Sequence, residues 1–239
     1  MNYKSVNEIK SISRDKLLGK YGTAIGAILF IKIFGIVALM ITSSVANAGS
    51  IMYLLILAVF ALIEGVFAFG EQTIYMKIST GNNTAVSDMF SVFKGKADEA
   101  IAVRLYFVLV VVGLTVVGEL GFGFIYRLGA NMLLPALAWL ILVAMIFVAF
   151  YLNYALVLPL AHDFPDMKTI EVFKKSRSLM RGRKKSLLGA LAGFLPLAVL
   201  GIISFDIGSL FVHAYFKMTI TEFYFDRMGV GQNRVDIEV

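Results

Sequence analysis

The chain has 239 residues, of which 59% are hydrophobic, and its formal net charge is +6. Its mean hydropathy of +0.83 lies outside the range of ordinary soluble domains, which excludes a wholly soluble protein. The absence of cysteine excludes disulfides, cysteine-bound zinc and thiol chemistry. Composition therefore indicates an integral membrane protein.

Six apolar runs follow one another along the sequence. They are Thr23–Asn47, Ile51–Ile78, Ile101–Tyr126, Met132–Ala161, Ser186–Phe205 and the less apolar Ile207–Phe225. A helix rises about 1.5 Å per residue, so roughly 20 apolar residues cross the hydrocarbon core. Since backbone groups in lipid must be paired within their own segment, helices are favoured. The sequence predicts an all-α, polytopic bundle of about six spans, forming a single integral membrane domain over residues 1–239.

Basic residues cluster in alternate connections. They precede the first run and lie between runs two and three and between runs four and five, whereas residues 43–50 carry no charge. Because Lys and Arg are retained on the cytoplasmic side, both termini are predicted to be cytoplasmic and the protein to lie in the cell membrane. Residues 1–22 would be a cytoplasmic amphipathic segment, 23–225 the six-span bundle and 226–239 a cytoplasmic tail. This distribution also argues against nucleic acid as a partner.

Each basic connection contains an amphipathic stretch with a glycine next to basic residues. The three stretches are Val6–Lys20, Ala85–Lys96 and Thr169–Lys185, and each precedes an apolar run. In the first and third, a Ser-Arg pair lies six residues before the glycine. The pattern suggests a threefold internal repeat of amphipathic segment plus helical hairpin. Basic inner loops and frequent glycine could also produce it without a repeat.

The third stretch is predicted to be a helix on the inner membrane surface. Its basic residues are Lys174, Lys175, Arg177, Arg181, Arg183, Lys184 and Lys185. Near an anionic surface each basic residue contributes about 1 kcal/mol of attraction, so this helix is predicted to bind anionic lipid. Alternatively, these charges only set the topology.

Several ionisable residues fall within the runs. They are Lys32, Glu64, Glu71, Glu119, Asp206, His213, Lys217 and Glu222. A charge in hydrocarbon costs a few kcal/mol, so these side chains are expected to face the bundle interior, water or a partner. Glu64 and Glu71 are two helical turns apart and share one face, and Lys32 could pair with either. The set is interpreted as a proton or cation relay or a translocation path, or else as ion pairs that specify packing.

No nucleotide-binding, serine-hydrolase or metalloprotease motif occurs, so no catalytic residue, metal or cofactor is expected. The first hypothesis is a non-enzymatic protein that binds or moves a small or amphipathic molecule, as a transporter or an export or immunity accessory. The second is a structural or regulatory subunit that recruits lipid or a protein partner through its basic helices. A lipid-active enzyme ranks last. Membrane lipids are the expected partners, and either leading role is compatible with homo-oligomers or a membrane-protein partner.

The stretch from Pro159 to Phe194 carries an acidic-Pro turn followed by an amphipathic segment. Its marker positions are Pro165-Asp166, Ser176-Arg177, Met180 and Gly182. These positions resemble the DUF975 family of bacterial integral membrane proteins, and Thr219–Tyr224 and Arg14 with Leu18-Gly19 are similar to its other motifs. The chain departs from the family at Phe194–Pro196, where a Trp-containing aromatic segment is usual. The resemblance implies the membrane topology and a bacterial, Gram-positive setting, but no activity.

Overall fold

The computed structural model describes residues 3–48, 50–95, 97–127, 133–204 and 206–229, and these residues form helices and turns without a strand. The helices are α1 (Val6–Leu17), α2 (Tyr21–Val45), α3 (Ile51–Ser79), a 3₁₀ helix (Val86–Lys94), α4 (Ala97–Arg127), α5 (Leu133–Tyr154), α6 (Val157–Asp163), α7 (Thr169–Leu179), α8 (Lys184–Ala192), α9 (Leu195–Ile203) and α10 (Ile207–Met228). The predicted all-helical class is confirmed for this part of the chain.

The apolar runs are recovered as helices, but two of them are divided. The fourth run forms α5 and α6, and the fifth forms α8 and α9. Pro159 and Pro196 lie in the first turns of α6 and α9, where a residue without an N–H is tolerated. Proline therefore places each division close to the start of a new helix. Met132 and Phe205, at the ends of two predicted runs, lie outside the described residues.

Four segments of the described chain are long and apolar enough to cross a membrane. They are Tyr21–Val45, Ile51–Ser79, Leu134–Asp163 and Lys184–Gly201. The predicted third run is a single helix of 31 residues, α4. The last run, α10, does not reach the same hydropathy, because it carries His213, Lys217 and Glu222.

The long helices are buried at one end and exposed at the other. In α3, residues 65–79 are mostly buried, whereas residues 51–59 are mostly exposed. The fourth run shows the same division, since residues 134–149 are mostly exposed while Val157, Leu160 and Ala161 of α6 are buried. The buried ends pack with α1, the 3₁₀ helix, α7, α8 and α10 into one body, here termed the base. The exposed apolar ends of α2, α3, α4 and α5 extend away from it.

Helix α1 is an integral part of the base. The Ser5 hydroxyl caps it by accepting a hydrogen bond from the Glu8 N–H at 3.3 Å. Ile9, Ser13 and Leu17 are buried at four-residue spacing, as expected of an amphipathic helix with one inward face. The sequence prediction of an amphipathic N-terminal segment therefore corresponds to a helix that packs on α10, α8 and α3.

The residues before α1 contact the other end of the chain. The Tyr3 ring contacts two guanidinium groups. The Cζ atoms of Arg183 and Arg227 lie 4.4 Å and 4.3 Å from the ring centroid. The Lys4 N–H donates to Asp226 at 3.1 Å. Cation–π contacts of this kind contribute about 0.5–1 kcal/mol each at exposed positions. They join the first residues to the turn before α8 and to the end of α10.

Helix α7 is shorter than the helix predicted over Thr169–Lys185. It ends at Leu179, and the chain turns at Gly182, whose φ of +76° favours glycine. Phe173 is buried, with its ring centroid 4.1 Å from that of Tyr106 in α4. Ser176 donates a hydrogen bond to the Asn153 carbonyl in α5 at 3.0 Å. Phe173 and Ser176 thus pack α7 against α4 and α5, whereas Ile170 in its first turn is 60% exposed.

The first and third amphipathic stretches end in similar turns. Gly19 has φ +75° and Gly182 has φ +76°, and the serines six residues earlier, Ser13 and Ser176, are both fully buried. The middle stretch differs, because a 3₁₀ helix replaces the α-helix there. Lys96, at the end of that stretch, lies outside the described residues.

The 3₁₀ helix packs closely on α3. A Cβ at Gly70 would overlap the backbone of Met89, so this approach requires glycine at position 70. Lys77 pairs with Asp88 at 2.8 Å, and Asp88 accepts the Ala85 N–H at 2.9 Å. The hydrogen bond from Lys77, followed by that from Ala85, holds the pKa of Asp88 below its usual range. These contacts hold the 3₁₀ helix, which lies in the second basic connection, against α3.

Candidate functional site

Glu71 of α3 lies between two cationic side chains of α10. The His213 Nε2 is 3.3 Å from Glu71 Oε1, and the Lys217 Nζ is 3.7 Å from Glu71 Oε2. His213 and Lys217 are four residues apart, so they share one face of α10. The Glu71 side chain is only 4% exposed. A carboxylate that far from solvent is costly unless it is paired, and these two partners provide the pairing.

Glu64, two turns before Glu71, pairs with α4. The Arg104 Nη2 is 3.0 Å from Glu64 Oε2, and the Arg104 Nε donates to the Ala61 carbonyl at 3.1 Å. A Cβ at Gly65 would overlap the Arg104 side chain, so this glycine provides the space in which Arg104 crosses α3. Both members of the pair are about one-third exposed. The two glutamates of α3 therefore have cationic partners on different helices.

The sequence suggested that Lys32 could pair with Glu64 or Glu71, but in the structure its partner is Asp206. Its Nζ is 2.6 Å from Asp206 Oδ2 and 3.4 Å from the Ser209 hydroxyl. Asp206 adopts φ +66°, a left-handed conformation that is uncommon outside glycine, and it directly precedes α10. The pair joins the middle of α2 to the turn between α9 and α10.

Glu222 of α10 pairs with α1. Lys16 Nζ lies 2.8 Å from Glu222 Oε1 and donates to the Ser79 carbonyl at 2.9 Å. At the neighbouring position of α10, the Thr221 hydroxyl accepts a hydrogen bond from Gln72 Nε2 at 3.0 Å. These buried contacts fix α3 against α10 within the base. Of the predicted intramembrane residues, Glu119 lies on α4 with its side chain outside the described part of the structure.

Lys32, Glu64, Glu71 and His213 line one cleft of about 490 Å³ between α2, α3 and α10, here termed the main cleft. The rest of its lining is Ile28, Ile31, Gly35, Ile36 and Leu39 of α2. The volume lies within the range of about 300–1,000 Å³ typical of small-molecule sites. An apolar wall with charged groups of both signs suits a molecule that has an apolar body and a polar head.

A second cleft of about 370 Å³ lies on the other side of α10. It is lined by Leu191, Phe194, Leu195, Ala198, Ser209, Val212, His213 and Phe216. His213 therefore borders both clefts, and its side chain is 42% exposed. The described residues include no group of three or more His, Asp or Glu side chains placed to hold a metal ion.

The basic residues around α7 have different surroundings. Lys174, Arg177, Arg181 and Lys185 are exposed, whereas Lys184 is half-buried. Lys175 Nζ lies 3.7 Å from the Phe164 ring centroid, and Arg183 stacks on Tyr3. Two members of the predicted lipid-binding set thus contact aromatic rings of the protein itself.

Sequence reasoning missed the roles of Arg104 and Lys16. The sequence marks Arg104 only as a basic residue just inside the third run and Lys16 only as one of the basic residues before the first run. Their partners, Glu64 and Glu222, are 40 and 206 residues away along the chain. No local pattern signals contacts at such separations.

The comparisons with known proteins agree with the resemblance seen in the motifs. A family model described as "Protein of unknown function (DUF975)" matches residues 1–227. No curated protein and no solved structure matches the chain. Because the match extends over nearly all of the chain, including its three amphipathic stretches, the chain belongs to the DUF975 family.

Proposed function

We propose that this chain is a non-enzymatic membrane protein that binds or moves a small amphipathic molecule, as a transporter-like protein or an accessory of export or immunity. The observation that carries the proposal is the main cleft. Its apolar residues on α2 would hold an aliphatic body, while Lys32, Glu64, Glu71 and His213 would contact the polar head. Ionisable groups within membrane helices are expensive, and a ligand path is a common reason for their presence there.

The charges around the main cleft suggest which head groups it accepts. Three carboxylates, Glu64, Glu71 and Asp206, are each paired with a Lys or Arg. The charges within each of these three pairs cancel, so the pairs leave no net charge for a singly charged ligand to neutralise. The main cleft therefore favours a zwitterionic or uncharged polar head over a strongly cationic or anionic one.

The proposed setting is a cell membrane with both termini on the cytoplasmic side. The α2–α3 and α4–α5 hairpins would cross it, with their basic connections inside, and α9–α10 would enter as a third hairpin. The similar turns at Gly19 and Gly182 support a repeated unit of amphipathic helix plus hairpin. The exposed apolar ends of the first two hairpins would contact lipid, a second copy or another membrane protein.

Fluorescence quenching at a matched pair of positions tests ligand binding. Ile36 lines the main cleft and is 60% exposed, whereas Ile33 lies one turn earlier, is 58% exposed and lines neither cleft. Each would be replaced by Cys in the cysteine-free chain, labelled with a fluorophore and reconstituted in nanodiscs. The probe is dodecylphosphocholine brominated at the end of its chain. We expect saturable quenching at Ile36→Cys and only a linear background at Ile33→Cys.

The polar end of the cleft is tested in the same assay. Glu71→Gln in the Ile36→Cys background should weaken saturable quenching at least several-fold, because it unbalances the paired charges that would receive the head group. Equal, non-saturable quenching at both labelled positions would contradict binding in the cleft. If Glu71→Gln leaves the saturable quenching unchanged, the proposed contact between the head group and the polar residues of the cleft is wrong.

The second candidate function is a structural or regulatory subunit that recruits anionic lipid or a protein partner. It is favoured by the exposure of Lys174, Arg177, Arg181 and Lys185 on and after α7. Such a cluster near a membrane attracts anionic head groups, and salt weakens that attraction. The two functions are compatible, since the basic surface and the main cleft use different residues.

A further inference from the structure

We propose that the α9–α10 hairpin is re-entrant: it enters the membrane from the cytoplasmic side and turns back within the cytoplasmic half. The apolar runs predicted two complete spans here, and Lys184–Gly201 is long enough for one. The contacts of the hairpin with α2 and α3 place its tip well short of the far end of those helices.

The pairing of Lys32 with Asp206 gives the first measure of depth. Asp206 lies at the tip of the hairpin, and Lys32 is residue 12 of the 25 in α2. Residues 33–45 remain beyond this contact, and 13 residues at about 1.5 Å each extend about 20 Å. Helix α2 therefore continues for about 20 Å past the tip.

Helix α3 gives an independent measure. Its contacts Glu71–His213 and Ser79–Glu222 show that α3 and α10 run in the same direction. From Glu71 back to Ile51 there are 20 residues, or about 30 Å, while the seven residues from His213 back to Asp206 cover about 10 Å. The difference again leaves about 20 Å of helix beyond the tip, in agreement with α2.

The exposed side chains relate this distance to the membrane. Beyond the tip, α2 and α3 expose large apolar residues such as Met40 (64%) and Ile51 (78%), as lipid-facing helices do. The hydrocarbon core is about 30 Å thick. If the uncharged α2–α3 turn marks the outer boundary, the tip lies about 10 Å inside the inner boundary. Ile203 (70%) and Ile207 (64%), on either side of the tip, are also exposed, which fits side chains that reach into lipid.

The length of Lys184–Gly201 does not conflict with a shallow tip. Its first half, α8, packs beside α1, and Lys10 of α1 lies 4.4 Å from the Phe194 ring centroid where α8 ends. Helix α1 is amphipathic and polar on its outer side, so α8 lies within the surface layer beside it. Only α9 and the first turns of α10 remain to enter the hydrocarbon.

The described residues of the turn at the tip pair several of their polar groups. The Ser204 hydroxyl donates to the Gly201 carbonyl at 2.8 Å and accepts the Gly208 N–H at 2.8 Å. The Ile207 N–H donates to the Ser204 carbonyl at 3.2 Å, and Lys32 neutralises Asp206. Non-helical backbone at membrane depth is tolerated where it is buried in protein or lines a water-filled cavity, and here the turn packs against Lys32, which lines the main cleft.

This placement also bears on the ligand, a point that rests on the proposed function. Both clefts flank the hairpin and share His213, so both would open at the level of the cytoplasmic leaflet. A ligand dissolved in that leaflet would reach them sideways from the lipid.

Cysteine labelling distinguishes a re-entrant hairpin from two spans. Ile51 and Ile207 are both exposed isoleucines that begin a helix after a turn, and two complete spans would place both at the outer surface. In sealed vesicles of one orientation, a membrane-impermeant maleimide should label Ile51→Cys from one side and Arg181→Cys from the other. We expect Ile207→Cys, and Ile203→Cys as a second variant, to react at least tenfold more slowly than Ile51→Cys from the Ile51 side.

Depth measurement gives a positive readout for the same variants. The quenching of a fluorophore on Ile51→Cys should be strongest with lipids brominated near the head group. The quenching of a fluorophore on Ile207→Cys should be strongest with lipids brominated further along the acyl chain. Labelling of Ile207→Cys at the Ile51 rate, or the same shallow quenching optimum for both, would overturn the re-entrant hairpin. Neither readout depends on a ligand. The proposed function could therefore fail while the re-entrant hairpin stands, and the hairpin could fail while the proposed function stands.

Discussion

The contact between Glu71 and Lys217 provides the most direct test of how α3 and α10 are held together. Glu71→Gln keeps the size of the side chain but removes the charge of a carboxylate that is 4% exposed. Lys217, which is 22% exposed, would then lose its counter-ion, and His213 would face a neutral amide instead of a carboxylate. The substitution therefore leaves a largely buried ammonium group unpaired.

The expected cost follows from this burial. Removing one partner of a fully buried ion pair typically destabilises a protein by about 3–5 kcal/mol. Because Lys217 keeps some access to its surroundings, we expect the lower end, about 3 kcal/mol, for Glu71→Gln and for Lys217→Met. The double variant should cost less than the sum, with a coupling energy of about 2 kcal/mol. For the more exposed pair of Glu64 and Arg104, the coupling should be about 1 kcal/mol or less.

The assay is reversible unfolding in mixed micelles, followed by circular dichroism, for the two single variants and the double variant. Glu64→Gln, Arg104→Met and their double variant form the matched control cycle. A coupling energy near zero for Glu71 and Lys217, or one no larger than that of the control cycle, would refute the burial argument. Such a result would mean that the Glu71–Lys217 pair does not help to hold the two helices together.

Two further predictions concern the base and its basic surface. Gly70→Ala would force the 3₁₀ helix away from α3, because its Cβ would overlap the Met89 backbone, and should cost about 1–3 kcal/mol of unfolding free energy. Gly22→Ala, where a Cβ meets open space, should be neutral or stabilising by up to about 1 kcal/mol, and equal losses at both sites would contradict the assigned contact. Replacing Arg177 and Arg181 by Gln should reduce the binding of anionic over neutral lipid to the purified protein, measured at low and high salt. Unchanged, salt-insensitive binding would remove the electrostatic part of the second candidate function.

Hydropathy alone predicted the helices well, because it is a local property of the chain. The apolar runs locate all the long helices, and Pro159 and Pro196 stand where two of the runs divide. The short motifs around Ser176 and Gly182 were sufficient to indicate the DUF975 family, which the family model confirms. The length of α7 was overestimated, since periodicity continues through Gly182 although the backbone turns there.

The sequence also marked most of the polar residues of the candidate site, because charge within an apolar run is conspicuous. It identified Glu64 and Glu71 as sharing one face of α3, and both line the main cleft. Which cation meets which carboxylate was decided only by tertiary structure. Lys32 joins Asp206, and Lys16 joins Glu222, across 174 and 206 residues of chain. Hydropathy reports whether a segment prefers lipid, but not how far it enters. The position of the α9–α10 turn along α2 and α3 follows from side-chain contacts with those helices, and these form only when the helices pack.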